Sequence, residues 1–171
     1  MRARFQGTST HKVDAKGRVS IPSEFRRVLD KQDPDRDAGT NPSVVLLYGD
    51  PRNPWFDCYT IRAMEEIDDQ IEDMDDGDPD RLALEEYFYA KSEILRIDDS
   101  GRLVLSKALR DQVGIDGDAV FSARGRTFRI HSPDAPAEAT ERLPAALADM
   151  PADVPITALL PSRRKRRERA E

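Results

Sequence analysis

One thirteen-residue pattern occurs twice in this chain. Asp14-Ala15-Lys16-Gly17-Arg18-Val19-Ser20-Ile21-Pro22-Ser23-Glu24-Phe25-Arg26 aligns with Asp98-Asp99-Ser100-Gly101-Arg102-Leu103-Val104-Leu105-Ser106-Lys107-Ala108-Leu109-Arg110, at an offset of 84 residues. Asp, Gly, Arg, three apolar positions and a closing Arg coincide. Two copies point to a duplicated supersecondary unit and not to a long solenoid.

Each copy reads as strand, tight turn, strand, short helix. Gly17 and Gly101 stand where a turn needs positive φ. Val19/Ile21 and Leu103/Leu105 alternate at period two, the pattern of a half-buried strand. Ser20, between the two apolar residues, is expected on the exposed face. Ser23 and Ser106 are predicted to cap the helices that follow. Phe25, Val28 and Leu29 give the first helix its apolar stripe, Leu109 and Val113 the second, and Gly114 is a natural stop.

The breaker-rich loop Lys31–Ser43 is expected to be mobile. Strands are predicted at Val44–Tyr48 and Phe56–Ile61. Ile61, Met64, Ile67, Ile71 and Met74 then fall at helical spacing, as core or subunit contact. A helix near Pro79–Phe88, a strand at Ser92–Asp98 and strands near Ala119–Ala123 and Arg126–His131 complete the pattern, with a hairpin turn at Arg124-Gly125. The expected organisation is a first repeat with a trailing amphipathic helix at 1–78, a second repeat at 79–131, and a Pro/Ala-rich segment at 132–171. That last segment is expected to be largely disordered. It holds one weak helix near Ala135–Met150, interrupted by Pro144, and a basic end.

At 171 residues the chain is long enough to bury a real core, but 38% apolar and 35% charged residues describe a highly charged protein with a modest one. The longest apolar run, Val44 to Tyr48, is far short of a membrane helix. No apolar stretch follows the basic start, so no secretory signal is expected. Cys58 is the single cysteine, which excludes an internal disulfide and makes a reducing cytoplasm the default. With only His11 and His131 beside it, a thiolate–imidazole zinc cage cannot be assembled.

The net charge of −6 argues against nucleic acid, but its distribution does not. Residues 1–31 carry eight basic groups against three acidic ones, residues 62–86 twelve acidic against two basic, and residues 163–171 six basic against two acidic. A surface responds to local potential, so the first repeat can present a positive face while the acidic middle points away. The acidic run Asp68–Asp80 fits no calcium-loop register and reads as a solvated helix end and turn.

The chain resembles the MraZ family of bacterial transcriptional regulators. Phe5-x-Gly7, His11-x-x-Asp14-x-Lys16-Gly17-Arg18-x-Ser20-Ile21-Pro22 and the second Asp98-x-x-Gly101-Arg102 carry the resemblance, which spans roughly residues 1–131. It implies an α+β, mainly β fold: a double SpoVT-AbrB swapped-hairpin β-barrel made from the two repeats, with short flanking helices. It also implies a ring-shaped homo-oligomer that binds direct repeats of double-stranded DNA in the promoter of its own division and cell-wall gene cluster, as a repressor, in the cytoplasm at the nucleoid. Ser106 in place of the first copy's proline, the Lys31–Ser43 insertion and the long basic tail depart from the family pattern.

The residues offer a mechanism of their own. After the Asp-x-x-Gly turn, Arg18 projects a planar fork of donors that can take two phosphate oxygens or the O6 and N7 of guanine. Asp14 can orient that fork or accept from the turn's amides, as Asp98 can for Arg102. An ion pair that only holds the turn is the alternative. Asp98 and Asp99 make the field around Arg102 less positive. Lys16 reads as a phosphate contact or as simple exposure, and Lys12, with Arg2 or Arg4, could extend the patch. The expected DNA-binding set is Arg18, Lys16, Arg102 and Lys12, with Asp14, Gly17, Asp98 and Gly101 shaping the turns. Arg26, Arg27 and Arg110 are read as structural or surface residues, and His11 as a structural histidine or as a hydrogen-bond partner of the turn or of a phosphate. No catalytic residue, cofactor or small-molecule substrate is expected, since P-loop, nucleophile-elbow, zincin and dinucleotide fingerprints are all absent, and the short apolar runs and the scarcity of Cys and His give no expectation of a membrane or a metal. A MazE-like antitoxin or interaction module shares the implied fold, but such chains typically carry one repeat.

Overall fold

The computed structural model describes residues 2–161, so the basic end at residues 163–171 lies outside the described residues. The chain divides into a compact unit at Met1–Pro136 and a second at Ala137–Glu171.

The first unit is α+β and mainly β. Its strands are β1 (Thr8–Lys12), β2 (Arg18–Ser20), β3 (Ser43–Leu47), β4 (Trp55–Tyr59), β5 (Ser92–Arg96), β6 (Arg102–Val104), β7 (Asp118–Arg124) and β8 (Thr127–His131). Its helices are α1 (Ser23–Lys31), α2 (Ile61–Glu72), α3 (Pro79–Glu85) and α4 (Lys107–Val113). Six strands form one antiparallel sheet in the order β1-β7-β8-β4-β3-β5, and β2 and β6 form a separate ribbon. Exchanging the halves, β1 for β5, β3 for β7 and β4 for β8, reads the same order backwards. The repeat thus survives as an approximate two-fold relation within one chain. Each half's leading strand pairs with the other half's hairpin: β1 with β7, and β5 with β3.

The core is shared in the same way. Phe5 and Phe25 from the first repeat meet Phe128 from the second, with ring centroids 4.9–5.1 Å apart, and Phe121 stacks on Phe128 at 6.0 Å. All four rings are buried, so neither repeat owns a complete aromatic core. β3 is a continuous apolar run because both its faces are covered. Val44 and Leu46 enter the main core, while Val45 and Leu47 meet Ile71 of α2 and Phe88 in a second cluster. Ile61, Met64 and Ile67 pack against that second cluster, so the α2 stripe covers the sheet of its own chain.

Several boundaries differ from the sequence reading for local reasons. The Thr60 hydroxyl accepts from the Ala63 amide at 3.0 Å and opens α2, which ends the strand before it at Tyr59 instead of Ile61. α2 stops at Glu72, before Met74. α3 continues into a π turn at Glu86–Ala90. Ser106 caps α4 as expected, accepting from the Leu109 amide at 3.3 Å. Ser23 does not cap α1: Pro22 holds that position without a side-chain bond, and Ser23 is already helical. The loop expected to be mobile is tied at several points. Asp33 accepts from the Ser43 amide at 2.9 Å, Arg36 pairs with Asp30, and Asn41 donates to Asp99 at 2.7 Å.

In the second unit, the described residues include short helices α5 (Ala137–Thr140) and α6 (Leu143–Ala148) and a 3-10 turn at Ile156–Leu159, none with a buried residue. Pro144 sits in the first turn of α6, where a missing N–H costs nothing, and so begins a helix instead of interrupting one.

Candidate nucleic-acid interface

The two Asp-x-x-Gly-Arg turns are built alike. In the first, the Asp14 carbonyl accepts from the Gly17 amide at 2.9 Å, and Asp14 N–H donates to the Arg18 carbonyl at 3.0 Å. Asp14 Oδ1 accepts from the Lys16 and Arg18 amides at 3.0 and 2.9 Å. Its Oδ2 accepts from Arg18 Nε at 2.6 Å. In the second, Asp98 Oδ1 accepts from the Ser100 and Arg102 amides, both at 2.9 Å, and Oδ2 from Arg102 Nε at 3.0 Å. The two roles read for these carboxylates, orienting the fork and accepting from the turn, are therefore performed together. The Arg18 amide, with its guanidinium beside it, holds the Asp14 carboxyl below the usual carboxylate range; Arg102 does the same for Asp98.

Gly17 and Gly101 adopt φ of +82° and +76°, and both lie against atoms of the other repeat. The Leu105 amide donates to the Gly17 carbonyl at 2.8 Å, and the Ile21 amide to the Gly101 carbonyl at 2.9 Å. Arg110 Nε donates to the Leu105 carbonyl at 3.1 Å beside Gly17, while Arg26 lies on Gly101. Arg26 and Arg110, the closing residues of the repeat, are thus packing elements for the turns. Their recurrence at the same repeat position is the sequence signal of that shared role.

Between the turns runs the β2–β6 ribbon. Arg18 stands opposite Val104, Val19 opposite Leu103, and Ser20 opposite Arg102. Val19 and Leu103 point inward and are buried. Alternation then puts Arg18, Ser20, Arg102 and Val104 on one outward face. Arg18 and Arg102 are each held by Nε alone, with about a third of each side chain exposed (38% and 34%). Their terminal nitrogens donate to no described residue, so the end of each fork is open to a ligand.

The ribbon therefore brings together Arg18 and Arg102, which lie 84 positions apart in the chain. Lys16 is exposed on the first turn beside them; the second turn has Ser100 there. Lys12 is not on the ribbon. It ends β1 in the larger sheet, opposite Asp118. His11 shares a 2.9 Å hydrogen bond with Ser9 and sets its ring edge against Phe121 at 5.5 Å, a structural setting. Arg27 pairs with Glu24 on the exposed side of α1. Cys58 is buried, and burial pushes its thiol up, away from a reactive thiolate. Among the described residues no three His, Cys, Asp or Glu side chains gather as a metal site, and no helix is long and apolar enough to cross a membrane.

No protein-family model matches the chain. It is 44% identical over 133 residues to the transcriptional regulator MraZ of Ruegeria pomeroyi, covering 78% of this chain and 80% of the relative. It is 46% identical over 134 residues to that of a further Ruegeria strain, covering 78% and 80%. The MraZ regulator of Xanthobacter autotrophicus is 39% identical over 146 residues, 85% of this chain and 83% of its own. A duplicated α+β chain with two presented arginines and these relatives falls in the class of transcriptional regulators. Within that class, the chain belongs to the MraZ family.

Proposed function

We propose that the chain regulates transcription by binding double-stranded DNA through the β2–β6 ribbon. The observation that carries this reading is the pair of Arg18 and Arg102 on one outward face, each oriented through Nε by its own aspartate. A two-stranded ribbon fits the major groove, and a guanidinium can take guanine O6 and N7 together. Arg18 and Arg102 are the base or phosphate contacts, Lys16 is a phosphate contact beside Arg18, and Lys12 extends the positive surface at its edge. Asp14, Gly17, Asp98 and Gly101 hold the turns in shape before DNA arrives, so little ordering is left for binding.

The exchanged strand pairing supports a double SpoVT-AbrB swapped-hairpin barrel in which residues 1–78 and 79–131 are the two units and 132–171 a tail. One ribbon offers few contacts. A ring-shaped homo-oligomer would set several ribbons on successive direct repeats, with avidity gains of ~10²–10⁴ over a single site. On this reading the protein acts in the cytoplasm at the nucleoid, occupying its own division and cell-wall promoter as a repressor, with no cofactor.

The test is fluorescence anisotropy of the full chain with duplex from upstream of its own gene, against scrambled duplex, over a range of salt. Specific binding should weaken with salt at a log–log slope of roughly −0.9 per neutralised phosphate. Affinity that ignores salt, or that does not distinguish the duplexes, contradicts the proposal.

A further inference from the structure

The outward face of the ribbon breaks the two-fold relation that the strand order keeps. Arg18 and Arg102 are equivalent, but Ser20 in the first copy corresponds to Val104 in the second. Val104 is 52% exposed, although its chain neighbours on either side, Leu103 and Leu105, are fully buried. It stands directly opposite Arg18, while Ser20 stands opposite Arg102. The turns differ in the same sense, with Lys16 and Ala15 in one and Ser100 and Asp99 in the other. An exposed valine within a face otherwise made of two arginines and a serine has no core to serve.

We infer that Val104 is a specificity-determining residue that packs on the C5-methyl group of a thymine, and that the Val104/Ser20 difference gives the ribbon a direction on DNA. The inference rests on the proposed DNA-binding role of the ribbon. A short apolar side chain is the natural contact for the thymine methyl in the major groove, whereas a serine hydroxyl accepts or donates to several base edges and discriminates less. With Arg18 beside it, Val104 reads a thymine neighbouring the base or phosphate held by that guanidinium. A reader with true two-fold symmetry demands an inverted repeat. A ribbon whose two ends present Arg18 with Val104 and Arg102 with Ser20 reads the two directions differently, so its sites are oriented and suit direct repeats.

The test replaces the thymines of the upstream duplex one at a time by deoxyuridine, which keeps base pairing and removes only the methyl group. Full-length wild type should lose about fourfold in affinity at one thymine of the recognised unit, the amount expected for one buried methyl. Val104→Ser should bind that thymine duplex and its uracil counterpart equally. Ser20→Val should create a second uracil-sensitive position on the other side of the site. Equal binding of wild type to every uracil duplex, with discrimination against scrambled duplex intact, overturns the role of Val104 and leaves the DNA-binding role standing. Retained sensitivity in Val104→Ser overturns it too. Val104 is exposed and its counterpart in the first copy is already Ser20, so Val104→Ser should fold, and circular dichroism checks that it does. Failure of wild type to prefer the upstream duplex at all overturns the DNA-binding role itself, and this inference with it.

Discussion

Arg26 and Gly101 belong to different repeats, yet the Arg26 side chain occupies the space a Cβ on Gly101 would need, with Cζ and Cδ only 2.7 and 2.9 Å from it. Arg110 and Gly17 repeat the relationship in the opposite direction, with Arg110 Nε 3.2 Å from the corresponding position. Each turn is therefore clamped by the helix of the other half. The consequence reaches function, because these are the turns that present Arg18 and Arg102.

The clamp is not equally forgiving on both sides. A Cβ on Gly17 would overlap the Leu105 carbonyl oxygen, which is backbone, whereas a Cβ on Gly101 meets the movable end of Arg26. Both positions also impose the positive-φ cost of ~1–2 kcal/mol on any other residue. Gly17→Ala should destabilise the protein by more than that conformational cost alone, and by more than Gly101→Ala. Urea unfolding of the two variants, compared by midpoint at unchanged slope, measures the difference.

The shared aromatic core predicts one transition for both repeats. Trp55, the single tryptophan, lies on β4 in the first half, and its environment should change together with the overall secondary structure. Tryptophan fluorescence and far-ultraviolet circular dichroism should give coincident urea curves. Phe25→Ala, which removes a fully buried ring in contact with both halves, should cost ~3–5 kcal/mol and shift both signals equally.

Helix caps supply a sharper contrast. Thr60→Ala removes a buried hydroxyl that accepts from the Ala63 amide and should cost ~1–2 kcal/mol. Ser106→Ala should cost ~1 kcal/mol. Ser23→Ala removes no cap and should change stability by less than either. Thermal or urea unfolding of the three variants separates them.

Acid should loosen both turns only below the ordinary carboxylate range. Asp14 and Asp98 have folded-state pKa values lowered from 3.8 by the amides and guanidinium groups of Arg18 and Arg102. Protons therefore bind the unfolded chain more readily, and the stabilisation is present in full above about pH 4 and is lost as pH falls through the lowered values. Carboxyl carbon shifts followed by NMR should titrate below 3.8 in wild type. Arg18→Ala should move the Asp14 titration upward and leave Asp98 unchanged.

Much of this structure was legible in the residues, because the decisive signals are local. Asp, Gly and Arg at fixed spacing specify a turn, and period-two alternation specifies the short strands after it. The repeat also marked the two turns that the structure builds alike. The pairing of β2 with β6 had no local signal, since it depends on closing a separation of 84 residues. Hence Arg18 and Arg102 could be named as separate candidates but not placed on one ribbon. Val104 carries no local signal either, because its exposure follows from facing away from Leu103 on a two-stranded sheet covered from one side. Ser23 misled because Pro22 takes the cap position before it. β4 ends at Tyr59 and not at Ile61 because the Thr60 hydroxyl caps α2 there.

On the proposed function, Arg18 and Arg102 meet DNA from a preformed ribbon. The most direct measurement is anisotropy with the upstream and scrambled duplexes for wild type, Arg18→Ala and Arg18→Lys, with circular dichroism and light scattering to verify fold and assembly. Arg18→Ala should lose ~10–100-fold in specific binding, and Arg18→Lys should lose substantially too, since lysine keeps the charge but not the fork. Unchanged specific binding by a folded, assembled Arg18→Ala protein would contradict the proposed function.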